Sequence, residues 1–189
     1  ALLASAAAGA LEGEPSYGGT VFKLGEHTQR LHDSAALLGF KIPYGSDAID
    51  AATVELIRRN GIVDGYVRPV AWRGSEMMAV SAQQTKIHLA IATWPWPSYF
   101  APELKERGIR LKLAQWRRPA PDTAPTKSKA AGLYMICTLS KHQAEAEGFH
   151  DALMLDYRGL VAEATGANIF IARDGRLHTP TPDCFLDGI

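Results

Sequence analysis

A chain of 189 residues with 20 Lys and Arg against 20 Asp and Glu carries no net formal charge, and so no field that would favour nucleic acid or an anionic membrane surface. No stretch approaches the length of a bilayer span, and two cysteines far apart, Cys137 and Cys184, offer neither a disulfide framework nor a C-x-x-C motif. The composition fits a globular cytoplasmic protein in a reducing compartment, long enough for one large domain or two small ones, with a small molecule as its partner.

In chain order, the alanine-rich Leu3 to Leu11 predicts a helix that stops near Gly13 and Pro15. Tyr17-Gly18-Gly19-Thr20 predicts a hairpin turn into a strand from Thr20 to Leu24. Leu31, Ala35 and Leu38 recur at helical spacing over Glu26 to Leu38, with Gly39 as the stop. Ser46 caps a second helix with the stripe Ile49, Thr53, Leu56 and Ile57, ended by Asn60-Gly61. Gly65 to Ala71, Ile87 to Thr93 and Ile109 to Leu113 read as strands. Between the last two, W-P-W-P-S-Y-F predicts a stiff loop carrying Trp94, Trp96 and Tyr99, aromatics that serve equally well as pocket walls or as satellite core. Arg117 to Pro125 is the clearest linker by composition. A helix over Gly132 to Glu147 follows, then strands at Ala152 to Asp156, Val161 to Ala164, Asn168 to Ala172 and Arg176 to His178, the last two joined by the turn Asp174-Gly175. The six histidines form no i,i+4 pair and no ligand cluster, so no metal is expected.

The stretch that organises the rest is P-T-K-S-K-A-A-G-L-Y-M-I-C-T-L-S-K-H, Pro125 to His142. Lys127 and Lys129 follow a Pro-rich approach and precede an apolar helical pattern carrying Tyr134. By residue type alone both lysines read as solvated charges at a helix start. Lys129 and Tyr134 can share a site only if Lys129 precedes the helix proper, because five residues turn a regular helix by about 500°.

Five blocks, E-H-T-Q-R-L-H-D-S-A (Glu26 to Ala35), Y-V-R-P-V-A-W-R-G (Tyr66 to Gly74), P-T-K-S-K-A-A-G-L-Y (Pro125 to Tyr134), E-A-T-G-A-N-I-F (Glu163 to Phe170) and L-D-G-I (Leu186 to Ile189), together resemble the fold-type IV, pyridoxal-phosphate-dependent aminotransferases, and among them the branched-chain amino acid aminotransferases. The resemblance implies an α/β fold of the α+β type. A small N-terminal domain would run to residue 118, a linker would occupy 119–127, and the first part of a larger cofactor-binding domain would occupy 128–189. It also implies that the chain is truncated at both ends and is not fully competent alone.

The same resemblance assigns roles. Lys129 would form the Schiff base with the cofactor aldehyde, and Tyr134 would stand beside the phenolic oxygen of pyridoxal 5'-phosphate. Glu163 would keep the pyridine nitrogen protonated, within a cofactor-binding block that includes Asn168. Arg30 would hold the phosphate with main-chain amides of the closing segment, Leu186 covering the ring face and Ile189 lying at the phosphate. Arg68 would accommodate the second carboxylate of glutamate, and Trp96 and Tyr99 would face a branched aliphatic side chain. The implied reaction exchanges the amino group of leucine, isoleucine or valine with 2-oxoglutarate, in a homodimer or larger oligomer, with no nucleic acid and no membrane. Where the family has a tyrosine, a phenylalanine and an arginine, this chain has Ala6, Leu11 and Pro15. Those departures keep open a D-amino acid aminotransferase, an aminodeoxychorismate lyase or a non-catalytic relative of the same fold.

Overall fold

The computed structural model describes residues 9–77, 80–96, 98 and 100–189. The chain divides into two compact units, Ala1–Tyr99 with Ser128–Gly132 and Ile189, and Phe100–Lys127 with Leu133–Gly188.

The first unit is a sheet covered by two helices. Its centre is β4 (Gly65–Arg73), whose Gly65, Val67, Pro69, Ala71 and Arg73 are buried while the residues between them are only partly so, the period-two pattern of a strand with one face on a core. One edge of β4 pairs antiparallel along its whole length with β5 (Ile87–Pro95). Its other edge pairs with β1 (Ala10–Leu11) and β2 (Glu14–Tyr17) in one continuous register, Leu11 opposite Val70 and Glu14 opposite Val67. The interruption between β1 and β2 falls opposite Pro69, whose carbonyl accepts from the Glu12 N–H at 3.0 Å but which has no N–H to return. Gly18 and Gly19, both at positive φ, turn β2 into β3 (Thr20–Val21).

Helix α1 (Leu24–Leu37) buries His27, Thr28, Leu31, Ser34 and Ala35, and α2 (Ser46–Asn60) buries Ile49, Thr53 and Ile57 at the spacing of one helical face. Gly61 in the left-handed conformation closes α2. Leu31, Ala35, Phe40, Ile42 and Ile49 pack on Ala10 and Ala71, while Val21, Ile57, Ile62 and Val67 form a second apolar cluster. Each fully buried Leu or Ile contributes about 1.5–3 kcal/mol through removal from water. After Ala10, the buried side chains of the 10–17 strand, Glu12, Glu14 and Ser16, are instead polar.

The second unit holds α3 (Pro102–Arg107), β6 (Leu111–Leu113), α4 (Met135–Ala146), β7 (Asp151–Leu155), β8 (Val161–Ala164), β9 (Ile171–Arg173) and β10 (Arg176–His178). β7 is central, parallel to β6 and antiparallel to β8. β9 and β10 form a separate hairpin whose turn residues Asp174 and Gly175 both have positive φ, the signature of the type I′ turn expected for Asp-Gly. No described helix is long and apolar enough to cross a membrane.

Several local expectations change. Ala10 and Leu11 end no helix: β4 supplies them with strand partners, and a backbone paired across a sheet cannot also be helical; residues 1–8 lie outside the described set. Leu24 opens α1 rather than closing a strand, and Gly45 rather than Ser46 occupies the cap position of α2. The helix after the lysines begins as a 3-10 turn, Ala131–Tyr134, and becomes α-helical at Met135. β5 runs through Trp94 to Pro95, so only Trp96 of the two tryptophans lies past the strand. The division of the chain falls between residues 99 and 100, and the Pro-rich Arg117–Pro125 stretch belongs inside the second unit. It is anchored there because the Arg118 N–H donates to the Leu155 carbonyl at 2.8 Å.

Candidate active site

In the first unit Lys129 sits in extended chain ahead of the 3-10 turn, so it does precede the helix proper. Ala130 bridges Ala10 antiparallel, the Leu11 N–H donates to the Lys129 carbonyl at 3.1 Å, and the Ala131 N–H donates to the Gly9 carbonyl at 2.8 Å. On the other side the Ser34 hydroxyl accepts from the Lys129 N–H at 2.9 Å, and the Ser128 hydroxyl donates to the Ser34 carbonyl at 3.1 Å. Main-chain bonds on both flanks thus hold a half-buried lysine beside β1. The bridge sets Lys129 opposite Leu11, and cross-strand partners share a face.

Arg30 projects from α1 onto Glu12. Its Nε donates to Glu12 Oε1 and its Nη2 to Oε2, each at 2.7 Å, a two-point contact with a carboxylate that has no exposed surface. His27, one helical turn earlier, places Nδ1 2.8 Å from Glu12 Oε2. An ionised carboxylate only accepts, so Nδ1 carries the hydrogen. Burial works to raise the Glu12 carboxyl, but the bonds from Arg30 and His27, with the charges of Arg30 and Lys129, hold it below the ordinary carboxylate range. Sequence reasoning did not single out Glu12 or His27. A glutamate at a strand break and a histidine three residues before an arginine need each other only once the strand lies under the helix, so no local spacing marks them.

Arg68 lies on the partly exposed face of β4. Its Nη2 is 3.4 Å from the Tyr66 hydroxyl and its guanidinium lies 5.2 Å from the centre of the Tyr66 ring. Trp94 and Trp96 pack around the same ring, with centroids 5.3 and 6.2 Å away. Sequence reasoning named Arg68 and Trp96 but not Tyr66, the ring that joins them. Pro15 is the cross-strand partner of Tyr66 and Leu11 that of Val70, so both departures from the family pattern share the Arg68 face. Tyr99 and Ala6 lie outside the described residues.

In the second unit Glu163 stands on β8 opposite Met154 and forms a bridge with Asn168 across the turn that follows. Arg118, which is buried, brings Nε to 3.2 Å from Glu163 Oε1 as a charge contact rather than an aligned hydrogen bond, and its Nη1 is 3.4 Å from the Cys137 sulfur. Burial raises the Cys137 thiol, with the Glu163 charge adding to that effect and Arg118 opposing it. Asn168 Nδ2 donates to the Leu186 carbonyl at 3.4 Å, and a Cβ on Gly188 would come within 2.7 Å of Asn168 Oδ1. The named residues Glu163, Asn168 and Leu186 are therefore one local assembly, while Ile189 is exposed. Tyr134 is partly buried at the end of the 3-10 turn. Lys127 donates to the Pro182 carbonyl and sits 3.5 Å from Asp187, an exposed electrostatic tie within this unit.

Among the described residues one group brings ligand-type atoms within 4.8 Å of one another, Asp156, Asp183 and Cys184. Arg158 already pairs with both carboxylates, at 2.6 and 2.8 Å, and burial, reinforced by Asp183, pushes the Cys184 thiol up to about 11. That chemistry suits an arginine, not a metal ion.

The fold and these residues first define a class, the fold-type IV enzymes. The structure superimposes on the T.th. branched-chain amino acid aminotransferase with pyridoxamine 5'-phosphate at a TM-score of 0.92, with 34% identity, over 98% of this chain and 64% of that one. In sequence it is 45% identical over 178 residues to a probable branched-chain-amino-acid aminotransferase of Rickettsia conorii, covering 94% of this chain and 60% of the relative. It is 37% identical over 185 residues to the branched-chain-amino-acid aminotransferase of Pseudomonas aeruginosa, covering 96% of this chain and again 60% of the relative. The family model for amino-transferase class IV matches residues 9–189, and the chain belongs to that family. It spans about 60% of the length of these curated relatives.

Proposed function

We propose that the protein is a pyridoxal-phosphate-dependent aminotransferase that exchanges the amino group of leucine, isoleucine or valine with 2-oxoglutarate. The observation that carries this reading is the fixed backbone of one lysine: Lys129 is held beside β1 by main-chain bonds on both flanks, in the unit where Glu12 fixes the Arg30 guanidinium. The residues present fit the cofactor's chemistry, with an amine for its aldehyde, a guanidinium for its phosphate and a carboxylate backed by a buried arginine for its ring nitrogen. When bound, pyridoxal phosphate supplies an electron sink for the carbanion that forms when the substrate Cα loses its proton.

The chain's own residues do the rest. Lys129 would hold the cofactor's aldehyde carbon and would move the proton at the substrate Cα. Glu163, kept company by Arg118, holds the proton at the pyridine nitrogen. Arg30 would hold the phosphate and Tyr134 the phenolic oxygen, while Asn168 bonds to the Leu186 carbonyl and so would help to set the segment assigned to the ring face. Arg68 receives the second carboxylate of glutamate or 2-oxoglutarate, and Trp96 with Tyr66 gives an apolar wall suited to a branched side chain. The names of the relatives support this substrate class. We further propose a cytoplasmic homodimer or larger oligomer, whose subunits complete one another's pockets.

The test is borohydride reduction of the full-length protein after loading with pyridoxal phosphate, followed by peptide mapping. A label on Lys129 and transfer from L-leucine to 2-oxoglutarate support the reading. Transfer from D-alanine instead, or a label elsewhere, refutes it.

A further inference from the structure

Helix α2 covers the sheet unevenly. Its Ile49, Thr53 and Ile57 are buried, but the flanking Ala48 and Ala52 are exposed and Leu56 is only partly buried. Across from them stand Leu89 and Ile91 of β5, also half-buried, on a strand that among the described residues pairs only with β4. Alanine side chains are too short to reach this edge strand. An apolar groove of about 330 Å³ therefore stays open between helix and strand, floored by Ile49 and ended by Tyr44. From Ala48 to Leu56 it follows about two turns of helix, or about 12 Å.

At Tyr44 the groove meets a second cleft, of about 460 Å³, which the same tyrosine lines. This one is polar. Gln29 and His32 of α1 stand around it with Lys41 and Ser46, and the start of α2 carries no side-chain cap because the cap position is Gly45. Among the described residues Lys41 makes no ion pair. Of the nearby carboxylates, Asp33 is bonded by Gln29, and Asp47 lines neither space. A hydrocarbon-walled groove that ends at an ammonium and uncapped helix donors is complementary in charge and polarity to a molecule with an aliphatic tail and an anionic head. Two turns of helix present far less than the roughly 800 Å² per partner that a stable protein–protein contact buries, so the fitting occupant is a small molecule.

We propose that this composite space binds a straight-chain aliphatic monocarboxylate, with its carboxylate at Lys41 and the start of α2 and its chain along Ala48, Ala52 and Leu56. None of these residues has a role in the proposed transamination, so the failure of either reading leaves the other untouched. The probe is octanoate, titrated calorimetrically into the full-length protein, with an expected stoichiometry of one per chain and a Kd below about 1 mM. Hexanoate, two methylenes shorter, should bind about 4- to 16-fold more weakly, the range for methylenes that are half to fully buried. Octylammonium, with the same chain and the opposite charge, should bind at least about 10-fold more weakly than octanoate. Ala52→Leu fills the groove and should weaken octanoate by at least about 10-fold. Lys41→Gln removes the charge at the head and should weaken it by about 3- to 10-fold. Far-ultraviolet circular dichroism and melting report folding; should Ala52→Leu not fold, Ala48→Leu must show the same loss.

Octanoate that does not bind, that binds no better than octylammonium, or that binds equally well to Ala52→Leu or to Lys41→Gln overturns the inference. A groove filled instead by another part of the full-length chain or by a second copy shows as the first of these results. Each of them leaves the aminotransferase reading standing.

Discussion

Glu14 presents an unusual electrostatic situation, and replacing it by glutamine should change how the protein's stability depends on pH. The side chain has no exposed surface, and no hydrogen-bond donor among the described residues reaches either of its oxygens. Burial, with the charges of Glu12 on the same strand and Asp50 on α2, raises its pKa from 4.5 to about 8. The folded protein therefore keeps a proton that the unfolded chain releases near pH 4.5. Between those two values the native state binds more protons than the unfolded one, so this group's contribution is greatest below pH 4.5, declines as pH rises and levels off above pH 8. At about 1.36 kcal/mol per pH unit the whole decline is on the order of 5 kcal/mol, a large share of the roughly 5–15 kcal/mol that holds an ordinary domain together. Glutamine titrates nowhere in this window. Urea unfolding followed by tryptophan fluorescence at about pH 5, 6.5, 8 and 9 should show Glu14→Gln gaining on the wild type by about 1.4 kcal/mol per pH unit up to roughly pH 8. Contributions from groups other than Glu12 and Asp50, whose charges act on Glu14, cancel in the difference. Parallel stability curves for the two proteins would refute the reasoning, since they would mean that Glu14 is either ionised and paired or exposed.

Gly13→Ala should disturb the Arg68 face, because a Cβ there would lie 1.8 Å from the Tyr66 hydroxyl. The expected result is a loss of about 1–3 kcal/mol on unfolding and, in the full-length protein on the proposed reaction, a KM that rises more for 2-oxoglutarate than for leucine, measured by steady-state kinetics. Arg118→Leu removes one partner of a pair whose side chains are only 6% and 14% exposed, so denaturation should show a loss of about 3–5 kcal/mol. Arg118→Lys, which keeps a charge but not the fork, should recover part of it. Both thiols are buried and raised above the ordinary range, so in the native protein at about pH 8 iodoacetamide should modify Cys137 and Cys184 far more slowly than in urea, as read by mass spectrometry.

Much of this protein could be read from short-range pattern. The stripe Ile49, Thr53 and Ile57, the stop at Gly61, the alternation along Gly65–Arg73 and the Asp174-Gly175 turn are each set by neighbours within a few residues, where backbone geometry leaves few choices. The five blocks that identify the family are also local, and they contain Lys129, Arg30 and Glu163. The 10–17 strand escaped the same reading because its inward positions after Ala10 are Glu12, Glu14 and Ser16, the reverse of the apolar-in alternation by which a strand is recognised.

Only the tertiary structure decided the long-range charge pairs, in contrast to helical neighbours such as Glu55 and Arg59. Glu12 finds Arg30 eighteen residues away and Arg118 lies beside Glu163, pairings set by strand register and helix docking and not by any spacing in the chain. The same holds for the division between the units, which composition placed in the Pro-rich segment. Prolines remove hydrogen-bond donors, but Arg118 still bonds to Leu155, and such long-range anchoring determines whether a segment belongs to a unit or merely connects two.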